Sequence, residues 1–340
     1  SYDAIIIGSG TAGQTAAYEL IQQGLNIAVV EKSDQPGGIC ALAGCQAKKY
    51  FYEGAELAAK SANLMEKGIR SLPQVNWGDF LKQKNRFTAK VPGNTIAGLE
   101  RNNIDVIRGT ARFVNDRHIE VDGQKVEAEN FIIAAGARPR PLSIKGARFM
   151  TSSRQFLDLA VLPQRIIFIG GGFISFEFAH FAAHLCKSGS RQTTILQSGP
   201  KPLKQFDNDM VSHLVDTSKD AGIDIHTRVG TSSIEKEGGG LNVIAEDGRS
   251  FTADMVVHGA GRIADIEELD LERAGVAYSL KGIATNAFMQ TTNENVYAIG
   301  DCAHTVQLAR VADLEALVAA NTILGRPDRQ LQQMDYTAVP

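Results

Sequence analysis

Short runs of branched apolar residues alternate along the chain with stretches of helical periodicity, and several of the runs close on glycine. Ala4-Ile5-Ile6-Ile7 and Ile27-Ala28-Val29-Val30 read as strands buried on both faces. Residues 11–23, between them, carry the spacing of a helix, and residues 48–67 predict a longer one. Residues 88–126 read as strand-like pieces separated by Gly and Asn. Phe131-Ile132-Ile133-Ala134 is a further buried strand, after which the pattern restarts. A strand is predicted over 165–169, a glycine turn at 170–172, a helix over 173–186 and a strand over 193–196. A last strand at 296–299 ends in Gly300-Asp301, and a helix is predicted over 311–324. Gly238-Gly239-Gly240 reads as a hairpin tip. The alternation predicts an α/β fold with parallel sheets, in which one nucleotide-binding unit occurs twice.

Composition narrows the classes. A chain of 340 residues has room for two or three domains. A net charge of −3 leaves no basic footprint for nucleic acid or an anionic membrane surface. The longest apolar region, 166–186, is broken by Gly170-Gly171-Gly172, Glu177, His180 and His184, which disqualifies it as a membrane span. The chain enters a strand at once, leaving no room for a signal peptide. Four cysteines do not make a secreted disulfide scaffold, so a cytoplasmic location is expected, where disulfides are usually catalytic or sensing.

Gly8-Ser9-Gly10-Thr11-Ala12-Gly13 is a G-x-G-x-x-G turn between a strand and a helix. Such turns let backbone and helix N-terminus approach a pyrophosphate, and Glu31, ending the next strand, is placed for ribose hydroxyls. Gly170-Gly171-Gly172-Phe173-Ile174-Ser175 repeats the logic with serine at the third glycine. Here Gln197-Ser198 follows the next strand in place of an acid. The missing carboxylate, with Lys201 and Lys204 nearby, favours NADP over NAD. The alternative for those lysines is a solvated surface.

Cys40 and Cys45 lie five positions apart, bracketed by Gly37-Gly38 and Gly44 and followed by a helix start and Lys48-Lys49. A helix N-terminus and lysines lower a thiol pKa and suit redox chemistry. Zinc would need further Cys or His ligands at matching spacing, which are not nearby, so no metal is expected. Cys186 and Cys302 read as small buried hydrophobes.

These motifs resemble the pyridine nucleotide–disulfide oxidoreductases, the flavoenzymes that include glutathione reductase, dihydrolipoamide dehydrogenase and mercuric reductase. The resemblance covers nearly the whole chain. It also draws on Ala134-Ala135-Gly136-Ala137-Arg138-Pro139, Gly259-Ala260-Gly261-Arg262 and Ala298-Ile299-Gly300-Asp301. It implies two Rossmann-like, three-layer (ββα/α) domains, the second inserted in the first: an FAD domain over 1–148 and 280–340 and an NAD(P) domain over 149–279. It implies FAD at Gly8, Gly10, Thr11, Ala12, Gly13, Glu31, Lys32, Gly38, Lys49, Ala135, Gly136, Arg138, Gly300 and Asp301. It implies NAD(P)H at Gly170, Gly172, Phe173, Ile174, Glu177, Gln197, Ser198, Lys204 and Gly261. Electrons would pass from NAD(P)H through the flavin to Cys40–Cys45 and on to a small-molecule or protein disulfide. Cys45 would face the flavin, Cys40 would exchange with substrate, and Lys49 and Glu177 would pair beside the flavin.

The pattern also departs from the family. Gln46-Ala47-Lys48-Lys49 follows the second cysteine, Ala135 stands where threonine is usual, and Arg310 where dihydrolipoamide dehydrogenases often carry histidine. Full-length members continue into an interface domain that forms a homodimer and carries a His–Glu dyad. That domain is expected beyond Pro340, leaving a chain for which a monomer is the alternative state and which is expected to reduce disulfides poorly on its own. Two rival readings are a flavoprotein quinone reductase or oxidase with an idle cysteine pair, and a binding module that uses the dithiol as a redox sensor.

Overall fold

The computed structural model describes residues 1–185, 191–326, 334 and 336. Cys186 lies outside the described residues. The elements that frame the sites are β1 (Tyr2–Ile7), α1 (Thr11–Ile21), β2 (Ile27–Glu31), α2 (Gly38–Ala43), α3 (Cys45–Asn63), β3 (Gln124–Ile133), β4 (Arg165–Ile169), α4 (Phe173–His184), β5 (Gln192–Gln197) and α5 (Ala309–Ile323). The chain divides into two compact units, Ser1–Cys45 with Thr88–Arg138 and Arg262–Pro340, and Gln46–Phe87 with Pro139–Gly261.

The first unit is built on a seven-stranded sheet. β1 lies between β2 and β3, parallel to both, with Ala4 opposite Ile27 and Ile5 opposite Phe131. Val296–Ala298 adds to β3 in parallel, and His118–Val121 pairs with the other end of β3 antiparallel. Alternate residues of a strand face opposite sides. Ala4 and Ile6 accordingly pack with Ala16 and Leu20 of α1 and Ala316 of α5, while Ile5 and Ile7 pack with Phe113 and Phe131. Cys302 is fully buried, and burial pushes its thiol up to about 12.

The second unit holds a five-stranded parallel sheet in the order Ile223–Thr227, β5, β4, Met255–His258, Met150–Thr151. A three-stranded antiparallel meander, Thr231–Glu237, Gly240–Ala245 and Ser250–Ala253, turns at Gly238-Gly239 as the hairpin signal predicts. The core around β4 and α4 is aromatic. Phe51 stacks on Trp77 at 4.2 Å, and Phe156 stacks on Phe178 at 4.7 Å.

One expectation is corrected. Residues 91–101, read among strand pieces, form the helix Val91–Arg101. Thr95 and Leu99 are buried one turn apart, and Pro92 occupies the first turn, where proline is tolerated. Gly93 and Gly98 hide the period from a propensity reading, although Gly98 is the position against which the Tyr18 hydroxyl packs. Ile266, Leu269, Leu271 and Val276, expected in 149–279, pack with Ile5 and Ile7 of the first unit. Ala47, Phe51 and Ala55, expected in 1–148, pack with Phe168 and Phe181 of the second.

Phe156 is fully buried against Trp77, Phe168 and Phe178. Phe156→Ala should cost about 3–5 kcal/mol, seen as a lower urea midpoint for the second unit while the first unit's transition stays in place.

Candidate functional site

At the first glycine turn, Gly8 closes β1, and Gly10 takes the position before the first residue of α1 with no capping side chain. Thr11, Ala12 and Gly13 form the first turn of α1, with Gly13 seated against the Gly8 carbonyl. Uncapped N–H groups and the positive end of the helix dipole make such a terminus an anion site. Glu31 is held at the end of β2. Its Oε2 accepts the Ser9 backbone N–H at 3.0 Å and the Ser9 hydroxyl, and its Oε1 accepts the Ser33 N–H at 2.7 Å. A carboxylate has about four acceptor positions. Three donors therefore leave room for one more, as a ribose hydroxyl would need. Glu31 lines a cleft of about 340 Å³ with Lys32, Ser33, Asp34, Arg108, Gly109 and Asp122. The residues fit an adenine dinucleotide.

The cysteine loop is tied to this turn. Ser9 Oγ accepts the Gly37 N–H at 3.0 Å while donating to Glu31. Gly38, at φ +75°, passes so close to Gly10 that a Cβ would lie 2.6 Å from the Gly10 Cα. Only glycine meets both demands. Cys40 lies in α2 and Cys45 opens α3, and their thiols share a hydrogen bond. That bond, then burial, then the charges of Asp313 and Asp301, raise the Cys40 pKa well above the ordinary thiol range. Cys40 is half-buried and Cys45 exposed.

Asp301 follows the left-handed Gly300 and sits 3.5 Å from the Arg262 guanidinium, which also donates to the Ala137 carbonyl at 2.7 Å. Burial raises the Asp301 pKa, and Arg262 opposes the rise. Ala135 and Gly136 follow β3, and the Gly136 carbonyl accepts the Asp265 N–H. Lys32 and Arg138 are both engaged by acids. Lys32 lies 3.1 Å from Asp265 and 2.9 Å from Glu268, and Arg138 bridges Asp265 and Glu267.

The second turn repeats the first. Gly170 closes β4, and Gly172 precedes α4 without a capping side chain. Gln197 Oε1 accepts the Gly171 N–H at 2.7 Å, standing to this turn as Glu31 stands to Ser9. Ser175 is buried with its hydroxyl unpartnered, against Gly259, where a Cβ would collide with it. Ser198 is exposed, Lys204 reaches past Gly199, and the Gly261 carbonyl accepts the Arg140 N–H. Phe173 and Ile174 open α4, with Phe173 half exposed.

The lysine paired with Glu177 is Lys48. Its Nζ lies 2.6 and 2.7 Å from the two carboxylate oxygens and 5.8 Å from the Phe173 ring centre. Lys49 instead stands in solvent, 4.0 Å from Glu53. A helix advances 100° per residue, so adjacent lysines cannot share a face. Ser9 and Asp313, which accepts the Thr11 hydroxyl at 2.8 Å, have no role in the sequence reading, and Gly37 enters it only as a bracket of the cysteine pair. Ser9 and Gly37 flank the chosen glycines, and a short polar residue inside the fingerprint is the only signal.

In the reduced protein, alkylation of Cys40 should keep rising about tenfold per pH unit beyond pH 9, since thiolate is the reacting form. Cys45→Ala removes the first cause of the raised pKa and should move the profile to lower pH. Peptide mass spectrometry after timed iodoacetamide treatment reads both.

Comparison with known proteins agrees with this geometry. The chain is 30% identical to a glutathione reductase of Burkholderia cepacia, covering 95% of this chain and 72% of the relative. It is 30% identical to a mercuric reductase of Staphylococcus aureus, covering 97% and 61%. Among solved structures, the HOCl-induced flavoprotein disulfide reductase RclA from Escherichia coli superposes with a TM-score of 0.86 at 25% identity, covering 97% of this chain and 73% of that one. No helix among the described residues is long and apolar enough to cross a membrane. Residues 2–316 match the family described as pyridine nucleotide-disulphide oxidoreductase, and the chain belongs to it.

Proposed function

We propose that this chain carries the cofactor and dithiol machinery of an NAD(P)H-dependent flavoprotein disulfide reductase. The observation that carries the reading is the hydrogen-bonded Cys40–Cys45 pair, on a loop fastened through Ser9 to a dinucleotide turn. FAD and NAD(P)H, when bound, supply the hydride chemistry that delivers two electrons to the cysteine disulfide. With two protons, those electrons convert the disulfide to two thiols. Cys40, once deprotonated, attacks a substrate disulfide, forming a mixed disulfide and releasing one thiol. Cys45 then attacks Cys40 in the mixed disulfide, releasing the second thiol and restoring the Cys40–Cys45 bond. The substrate is a small-molecule or protein disulfide, a reading that the name of a relative, glutathione reductase, supports.

The remaining residues take binding roles. Gly8 to Gly13, Glu31 and Asp301 hold FAD. Gly170, Gly172, Phe173, Ile174 and Gln197 hold the nicotinamide cofactor. Lys48 and Glu177 take the paired role first read onto Lys49. The raised Cys40 pKa means that exchange needs a base or a high pH. A longer homodimeric form with an acid–base group at Cys40 is in keeping with this need. Use of pyridine nucleotide as the electron source favours the cytoplasm.

Gln197 supports a preference for NADPH. It keeps the hydrogen bond to Gly171 but carries no charge to repel a 2′-phosphate. Gln197→Glu preserves the acceptor oxygen and adds that charge. The kcat/KM ratio of NADH to NADPH should rise about tenfold or more. An unchanged ratio would remove the preference.

Cys40→Ser separates disulfide reduction from plain flavin chemistry. NADPH-dependent reduction of an aromatic disulfide should fall about a hundredfold or more, while NADPH–quinone reduction persists. Equal disulfide reduction by the variant would overturn the reading.

A further inference from the structure

Glu315 stands behind the Asp301 turn and has no part in the site as built so far. It lies in α5 and is fully buried. Its Oε2 accepts the Gly300 N–H at 2.6 Å, and its Oε1 accepts the Tyr336 hydroxyl at 2.9 Å. Burial raises its pKa, hydrogen bonds from Thr305, Gly300 and Tyr336 work against the rise, and the charge of Asp301 adds to it. An acid in such a place is costly unless its hydrogen bonds are needed.

The Gly300 backbone explains the need. Gly300 has φ +68°, and a Cβ there would lie 3.4 Å from both Ala12 and Ala312. The turn therefore runs in contact with α1 and α5, in a conformation that glycine favours. Its N–H leaves the strand ladder and is donated to Glu315. A buried N–H without a partner would destabilise this conformation. The next residue is Asp301, whose carboxylate is held 3.5 Å from Arg262 on its other side.

We propose that Glu315 is a positioning residue for Asp301: by accepting the Gly300 N–H it fixes the turn that sets the Asp301 carboxylate, and Tyr336 holds Glu315 in that pose. The proposal rests on the assignment of Asp301 to FAD. It adds an indirect support, made through the backbone of the turn by the buried Glu315.

The test is a double-mutant cycle on FAD affinity, read by flavin fluorescence on titrating the apoprotein, with circular dichroism as a control for folding. Glu315→Ala should weaken binding about tenfold, and Glu315→Gln, whose amide oxygen still accepts the N–H, should recover to within about threefold of wild type. Adding Glu315→Ala to Asp301→Ala should weaken binding no further than Asp301→Ala alone, because the loss acts through Asp301. Multiplicative losses, or a Gln variant as weak as Ala, would overturn the proposal. Should Glu315→Ala not fold, Tyr336→Phe takes its place in the cycle. It is expected to weaken binding about twofold to threefold, and to lose that effect when Asp301 is already alanine. A wild-type chain that binds no FAD would instead remove the assignment on which the proposal rests.

Discussion

The Ser9 hydroxyl joins three parts of the first site. It donates to Glu31, accepts from Gly37, and its own backbone N–H is given to the same Glu31 oxygen. The acid at the end of β2, the turn at the end of β1 and the loop that carries the cysteines are thus mutually fixed. Hydrogen bonds to a charged acceptor contribute about 1.5–3 kcal/mol each, and low exposure protects these from competing water. Loss of the hydroxyl would leave Glu31 short of one donor and Gly37 without its acceptor. Cysteine geometry in this chain is therefore a property of the nucleotide turn as much as of the cysteine loop.

The second turn uses the same device without charge. Gln197 accepts the Gly171 N–H from the end of the next parallel strand, as Glu31 accepts that of Ser9. An amide keeps the mechanical function and drops the electrostatic one. Anchoring of a glycine turn and selection of its ligand are separable, even though one side chain ordinarily performs both. Ser175 makes a similar point about packing. The third fingerprint position tolerates a hydroxymethyl group because Gly259 opposite it has no side chain.

Much of this was legible in the sequence. The strands at 4–7, 27–30, 131–133, 165–169 and 193–196 follow from branched apolar runs, since strands buried on both faces carry no polar alternation. Both glycine turns, Glu31, Gln197, Gly300 and Asp301 stand where strand ends and spacing place them. The errors have physical causes. Helix Val91–Arg101 is written with Pro92, Gly93 and Gly98, and only burial of Thr95 and Leu99 reveals its face. Lys48 and Lys49 are indistinguishable in composition, and only the start of α3 at Cys45 decides which one meets Glu177. Ser9 and Glu315 act through hydrogen bonds to backbone N–H groups far away in sequence, and residue spacing carries no record of these. Ala47, Phe51 and Ala55 pack with Phe168 and Phe181, more than a hundred positions distant, and spacing carries no record of that either.

The aromatic core of the second unit has a spectroscopic consequence. Trp77 is the only tryptophan in the chain, is 7% exposed, stacks on Phe51 and donates its indole N–H to the Leu159 carbonyl. All of these partners belong to the second unit. Intrinsic emission excited at the red edge of the protein band is therefore a private signal of that unit's packing.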